Sequence, residues 1–469
     1  MDGQSTASFG QLHFGGADLG HKGRTKRLVK TADQLVLHPA GTLPTKLAEP
    51  ADLKGLYRLV EHLTVTHASV LAPHVSRTVQ LMRQCQGVVL ILHDDTVLDY
   101  SGLETLADDL GQVGDGHGRG YYCHNSLAVV AETRQVLGLA AQSLHRRRQV
   151  PPGEQRQQRR QQPDRESLLW KRGSQSIPVA PAGQLWVDVA DRGADITEFL
   201  DYEDQAGKSY LVRSQHNRLS ELENPEKPGE VLRVKLHDWA RSLPATAEST
   251  LQVQAKPGQT ARTARLGIAW SPVTLLPPRQ PRGEERGVPL RVWVVRAAEI
   301  DPAPGVEPLE WILLTNVPVR GDADAWQRVA WYRLRWIIEE YHKGQKTGCD
   351  IEQLQFQHRD RLEPVIALLS VVALTLLELR DLSRRPEAQS QPAVEVLPWA
   401  WVRLLSLWRH RQERPDWTVH DFYYALARLG GHQNRKHDHP PGWLILWRGW
   451  TKLQAMLEGA AAAGHETSG

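Results

Sequence analysis

Apolar and polar positions change their spacing several times along the 469-residue chain. Up to about residue 75 they recur at helical intervals, broken at Pro39, Pro44 and Pro50, and include the amphipathic piece ADLKGLYRLVEHL. From about 76 to 220 the pattern is α/β. VVLIL (88–92) reads as a buried strand ending at His93-Asp94-Asp95-Thr96, and GYYCHNSLAVVAE and QVLGLAAQSLH read as two more strands in a meander. LWVDVADRGADITEFL predicts a short strand, an Asp-rich turn and a helix starting near Asp195, and SYLVRS another short strand. Residues 221–318 are rich in β signals (TLQVQA, ARLGIAW, LRVWVVRAAEI, LEWILLTNV) separated by Gly and Pro turns. Helical spacing resumes at Asp322, with early aspartates that suit a helix N-terminus.

The apolar run Val365–Leu377 is too short to cross a bilayer and carries Ser370 and Thr375, so it reads as a buried helix with Pro364 in its first turn. A polar, Pro-bearing linker (RRPEAQSQPA) then leads into a Trp-rich helical region with Trp399, Trp401, Trp408, Trp443, Trp447 and Trp450. Three units follow from this pattern: a helical one over 1–75, an α/β one over 76–384 holding a β-rich insertion at about 221–318, and a helical one over 385–469.

Charge modifies this picture locally. The net charge is only +3, so no global field dictates a polyanionic partner. Lys22, Arg24, Lys26, Arg27 and Lys30, however, cluster in the first helical stretch, which suits a small DNA-binding unit. Nine Arg or Lys fall between His145 and Arg172, among them Arg146, Arg147, Arg148, Arg159 and Arg160. This Gln- and Pro-rich block fits a loop that tracks a phosphate backbone and a surface insertion equally well. Three scattered cysteines, Cys85, Cys123 and Cys349, argue for a reducing compartment and against a disulfide or cysteine–zinc framework. With no secretory signal visible, the expected location is cytoplasmic. The HQNRKHDH cluster (432–439) reads as a surface loop rather than a zinc site.

The segment WYRLRWIIEEYHKGQKTG carries Tyr332, Arg335, Glu339 and Lys346. At about 100° per residue, a continuous α-helix places them at roughly 0°, 300°, 340° and 320°, a stripe about 60° wide, with Glu340 turned roughly 100° from Glu339. The stripe suits either a solvated face of intrahelical ion pairs or a face that meets a metal and a phosphate backbone together. Asp94 and Asp191 at strand ends, joined by Glu339, make the oxygen set that Mg²⁺ or Mn²⁺ prefers. Singly, Asp94 suits a turn cap and Asp191 a helix cap.

With HDDTVLDYS, DRGAD, LEWILLTN and GWLILWRGWTKLQ, the Y-x2-R-x3-E-x6-K spacing resembles the bacterial insertion-sequence transposases of the DDE class, the cut-and-paste group with a Y-R-E-K signature. The resemblance runs from about residue 30 to the C-terminus. It implies a ribonuclease-H-like catalytic core with a β-rich insertion, flanked by an N-terminal end-binding domain and a C-terminal dimerisation domain. It also implies that Asp94, Asp191 and Glu339 bind two Mg²⁺ or Mn²⁺ ions, with Asp94 preferred to Asp95 by its distance from Leu98-Asp99-Tyr100. Tyr332, Arg335, Lys346 and Arg213 become backbone contacts, and Trp311 stacks on a base flipped out at a hairpin step. The implied partners are double-stranded DNA, as terminal inverted repeats and target, and a second copy of the chain. A DNA-binding regulator without chemistry and another ribonuclease-H-like nuclease are the alternatives.

Overall fold

The computed structural model describes residues 7–151, 153–155, 158–159, 162–224, 227–253, 261–278, 288–375, 377–378, 386–435, 438 and 440–466. Five helices come first: α1 (Phe9–Phe14), α2 (Lys22–Leu37), α3 (Leu43–Lys46), α4 (Pro50–Val60) and α5 (His67–Gln84). Prolines at the starts of α3 and α4 occupy positions where no intrahelical N–H is needed. The boundary drawn at residue 75 falls inside α5, whose start is fixed by a reciprocal cap between Thr66 and Ser69.

Strands β1 (Val89–Asp99), β2 (Gly111–Val113), β3 (Gly118–Val130) and β4 (Val136–His145) follow, then α6 (Leu169–Gln175), β5 (Trp186–Ala190), α7 (Thr197–Gln205) and β6 (Ser209–Arg213). Next come β7 (Leu219–Glu223), β8 (Val231–Lys235), α8 (Leu236–Ser242), β9 (Ala247–Val253), β10 (Arg262–Leu275), β11 (Leu290–Glu299) and β12 (Glu310–Thr315). All twelve join one sheet of order β2-β3-β1-β5-β6-β12-β11-β10-β7-β8, with β4 on β3 and β9 on β10. β3 runs antiparallel to β1, whereas β5 is parallel to β1 and β6 parallel to β5. The β-rich stretch is joined to this sheet through β12, which pairs antiparallel with β6.

Helices α9 (Asp322–Leu334), α10 (Trp336–Lys343) and α11 (Arg359–Val372) close the middle of the chain. Helices α12 (Ala393–Val396), α13 (Trp399–His410), α14 (Val419–Leu429) and α15 (Trp443–Glu466) end it. Alternation along the strands sorts the two faces of the sheet. Leu90, Leu92, Val187, Val189, Leu211 and Leu313 face a core shared with α10, α11 and both terminal helical regions. Val89, Ile91 and Trp186, and further along Tyr210 and Val212, face the opposite side, where Phe199 of α7 and Leu236 of α8 also pack.

The apolar run is buried as expected: every residue from Pro364 to Val372 is in the core. The position of its proline needs correction. The helix starts at Arg359, so Pro364 lies inside it. There it forfeits one intrahelical bond, to the Asp360 carbonyl, and its ring crowds that carbonyl. Trp401 meets Trp450 edge-on at 4.6 Å in the C-terminal region, and Trp443 stacks on Trp447. Among the described residues, no helix is long and apolar enough to cross a membrane.

Candidate carboxylate site and nucleic-acid interface

β1 does not end at Asp94 but continues to Asp99 alongside β3. What ends there is its parallel pairing, since the last register with β5 is His93↔Ala190. Asp94 and Asp191 therefore sit where adjacent parallel strands part, the end of an α/β sheet at which ligands are usually bound. Asp191 follows β5 directly and caps the short 3₁₀ turn Arg192–Ala194, its Oδ1 accepting from the Gly193 N–H at 2.8 Å.

Strand periodicity separates the two neighbouring aspartates. Asp94 lies on the same face as Leu92 and opposite Asn125, toward α10. Asp95 lies on the other face, where it accepts from His124 Nδ1. Beside it, His93 Nε2 is 2.5 Å from Asp188 Oδ1, tying β1 to β5 behind the site. Burial pushes the Asp94 carboxyl up to about 7; Arg335 opposes the rise, and the charges of Asp191 and Asp95 add to it.

The helix carrying the signature is not continuous. α9 ends at Leu334, Arg335 is a tightened turn whose N–H bonds to Tyr332 O at 3.1 Å, and α10 starts at Trp336. After Lys343 the chain widens into a π turn over Gly344–Gly348, closed by Cys349 N–H to Gly344 O at 2.8 Å. The stripe expected of a continuous helix thus fails beyond Lys343, where the π turn departs from 100° per residue.

The side chains still gather. Arg335 Nη1 is 3.0 Å from Asp94 Oδ2 and its Nη2 is 2.5 Å from Glu339 Oε1. Tyr332 is buried within the electrostatic reach of Arg335, Arg213 and Asp191. Lys346 reaches the edge of β1, with Nζ 2.9 Å from Val97 O and 3.0 Å from Glu352 Oε1. Arg213 ends β6 and donates from Nη2 to Glu310 O at 3.0 Å. Trp311 lies on β12 opposite Ala297, half-buried against the core. As they stand, no three His, Cys, Asp or Glu side chains among the described residues enclose a metal position.

A buried amide network, not anticipated from sequence, fastens the π turn to the sheet. Asn125 Nδ2 donates to His342 Nε2 at 3.2 Å and its Oδ1 accepts from Gln142 Nε2 at 2.7 Å. Gln142 and Gln345 both donate to Ser370 Oγ, at 3.0 and 2.9 Å. Burial pushes His342 down to about 3, so its ring is neutral and accepts. The available signal was the polar trio His124-Asn125-Ser126 between the apolar ends of one strand run.

The basic segments are largely self-paired. Arg147 pairs with Glu166, Arg148 with Glu154 and Arg165 with Glu198, while Arg147 also stacks over Tyr122 at 4.2 Å. Arg160 lies outside the described residues. On α2, Arg27 and Lys30 converge on Asp52 at 2.7 and 2.6 Å, while Lys22 and Lys26 are exposed. In the histidine-rich loop, His432 is buried and accepts from the Asn434 N–H rather than facing solvent; Lys436, His437 and His439 lie outside the described residues.

Residues 6–65 match the family model described as transposase DNA-binding. The match takes in α1 to α4, including the basic face of α2 and its Asp52 anchor. It supports a transposase with DNA as partner, bound at least through this N-terminal unit.

Proposed function

We propose that this chain is a DDE transposase that cuts DNA at element ends and joins the freed 3′ ends to target DNA. The observation that carries this is the convergence of Asp94, Asp191, Arg335 and Glu339 at the parting of two parallel strands, in a chain that begins with a transposase DNA-binding unit. The mixed sheet, antiparallel on one side of β1 and parallel on the other, is compatible with a ribonuclease-H-like core.

Three carboxylates on separate elements, one of them destabilised in its charged form by burial, suit a hard divalent cation. Asp94, Asp191 and Glu339 would hold Mg²⁺ or Mn²⁺, as a pair of ions that would supply Lewis acidity to the attacking and leaving oxygens. Arg335 keeps two of these acids together and neutralised in the protein alone. Lys346, at the open edge of β1, and Arg213 with Tyr332, on the other side, flank the acids and hold the backbone of the element end. Trp311 receives a base displaced from the duplex.

The reaction begins with water attacking the phosphorus, releasing a 3′-hydroxyl. That hydroxyl attacks the phosphorus of the opposite strand, displacing the 3′-oxygen of the flanking DNA and closing a hairpin on the element end. A second water opens the hairpin and regenerates the 3′-hydroxyl for strand transfer. A second copy of the chain completes the DNA complex through the Trp-rich C-terminal helices, where Trp399 and Trp408 remain exposed. Replacing Glu339→Ala in the full chain should abolish Mg²⁺-dependent cleavage of a duplex bearing the inverted repeats that flank the gene, while duplex binding persists. Normal cleavage by that variant overturns the assignment.

A further inference from the structure

The N-terminal unit is clamped to the segment that directly follows the π turn. The Gly41 N–H donates to Asp350 Oδ2 at 2.6 Å. Lys46, only 2% exposed, donates its ammonium to the Gly41 carbonyl and interacts electrostatically with Asp350. Both residues of this joint have left-handed backbones, Gly41 at φ +86° and Asp350 at φ +45°. Only Gly41 does so without steric cost; Asp350 is held there by its contacts. Tyr57 meets Phe356 edge-on at 5.9 Å, and Glu61 pairs with Arg361 at 3.5 Å, extending the same seam.

From Asp350 the linkage continues inward. The carbonyl of neighbouring Ile351 accepts from Tyr100 OH at 3.0 Å. Glu352 Oε1 accepts from the Asp99 N–H at 2.8 Å and pairs with Lys346 at 3.0 Å. Gly41 lies inside the matched DNA-binding segment, so a short polar chain connects that unit to Lys346 and to the end of β1. A small displacement of the N-terminal unit on DNA would move Asp350, and with it the turn that carries Lys346.

We propose, resting on the transposase function above, that Asp350 is a positioning residue which couples engagement of the N-terminal DNA-binding unit to the placement of Lys346 at the edge of β1, the strand that carries Asp94. Its contribution is made through the clamp to Gly41 and Lys46, without contact with DNA.

Two variants of the full chain test this. Asp350→Gly suits the left-handed backbone but removes the clamp, whereas Asp350→Asn retains an oxygen that can accept from Gly41. Three quantities are read with the inverted-repeat duplex: affinity, single-turnover cleavage at saturating duplex with Mg²⁺, and amide hydrogen exchange over residues 344–354 with and without the duplex. Asp350→Gly should bind the duplex as the parent does and remain folded at a lower melting temperature, because Lys46 loses its acid, yet cleave about tenfold more slowly, in the range of ordinary coupling energies. Its 344–354 segment should no longer respond to the duplex, and Asp350→Asn should restore most of the rate. Parental cleavage by Asp350→Gly, or loss of affinity in proportion to rate, overturns the coupling. If the parent binds the duplex but never cuts it, the transposase function fails instead, and the exchange response alone decides whether the clamp couples the two regions.

Discussion

The Arg335 guanidinium lies 3.0 Å from the Asp94 carboxylate and, through its second amino group, holds Glu339 from one turn further along the helix. Each of the three side chains is mostly withdrawn from water, Arg335 being 15% exposed. Removing one partner of such a group leaves like charges facing each other in a poorly solvated site. Arg335→Gln should therefore destabilise the protein by about 2–4 kcal/mol. If the acids bind divalent cations, Mn²⁺ should raise the melting temperature of this variant more than that of the parent. Calorimetric melts with and without Mn²⁺ check both statements, and an unchanged melting temperature in their absence would show that the pairing contributes little.

Trp311 is half-buried on β12, close enough to the core to help fill it and exposed enough to meet a ligand. Its two roles predict different losses. Trp311→Ala should leave nicking intact but lower the hairpin yield severalfold, with a packing cost of about 1–2 kcal/mol, less than for a fully buried aromatic. Trp311→Phe, which keeps a stacking ring, should recover much of the yield. Gel separation of nicked and hairpin products distinguishes the steps. Unchanged hairpin yield in Trp311→Ala would return the residue to the core.

Local pattern carried most of the elements because apolar alternation decides which strand face is buried. Period two puts Asp94 and Asp95 on opposite faces of β1, whereas the preference for Asp94 over Asp95 comes from the resemblance and not from the alternation. Helical period gave the neighbourhood of Arg335 and Glu339, which are four residues apart, but misplaced the path to Lys346. The turn at Arg335 and the π turn at Gly344–Gly348 depend on tertiary contacts that no helical wheel contains. Asn125 holds His342 from 217 residues away, and Gly41 holds Asp350 from 309 residues away. Pairings at such separations have no local signature. The extent of β1 was underestimated for a related reason: its polar half is stabilised by β3, which the apolar run does not reveal.

Asn125, on β3 directly across from Asp94, joins β3 to His342 of α10 and to Gln142 of β4, and both of its amide atoms are engaged in a site without access to water. Asn125→Ala should leave Gln142 and His342 short of a partner, costing about 2–3 kcal/mol. Asn125→Asp should be no better, since it substitutes a buried charge for a donor that neutral His342 requires. Urea unfolding of the two variants measures this. A loss below about 0.5 kcal/mol in Asn125→Ala would mean that water or a rearranged Gln345 replaces the amide.

Asp52 gives the N-terminal unit a pH dependence of definite sign. Hydrogen bonds from Lys30 and Gln34, with Arg27 adding to them, hold its carboxyl down at about 2, against the ordinary aspartate value. A folded-state value below the unfolded one stabilises the protein above the unfolded value, and that contribution is lost as pH falls toward 2. Because Lys30 is more than half exposed and Arg27 about one-third, screening by water limits the benefit to about 1 kcal/mol. Asp52→Asn should therefore weaken the helical N-terminal region near pH 7, and its difference from the parent should shrink between about pH 4 and pH 2. The same change releases Arg27 and Lys30 from their shared acid, so binding of a duplex should tighten modestly and depend more steeply on salt. Urea melts at pH 7 and pH 3, followed by duplex titrations at two salt concentrations, separate the two effects. A stability difference that persists unchanged at pH 3 would show that the Asp52 side chain acts by packing rather than by charge.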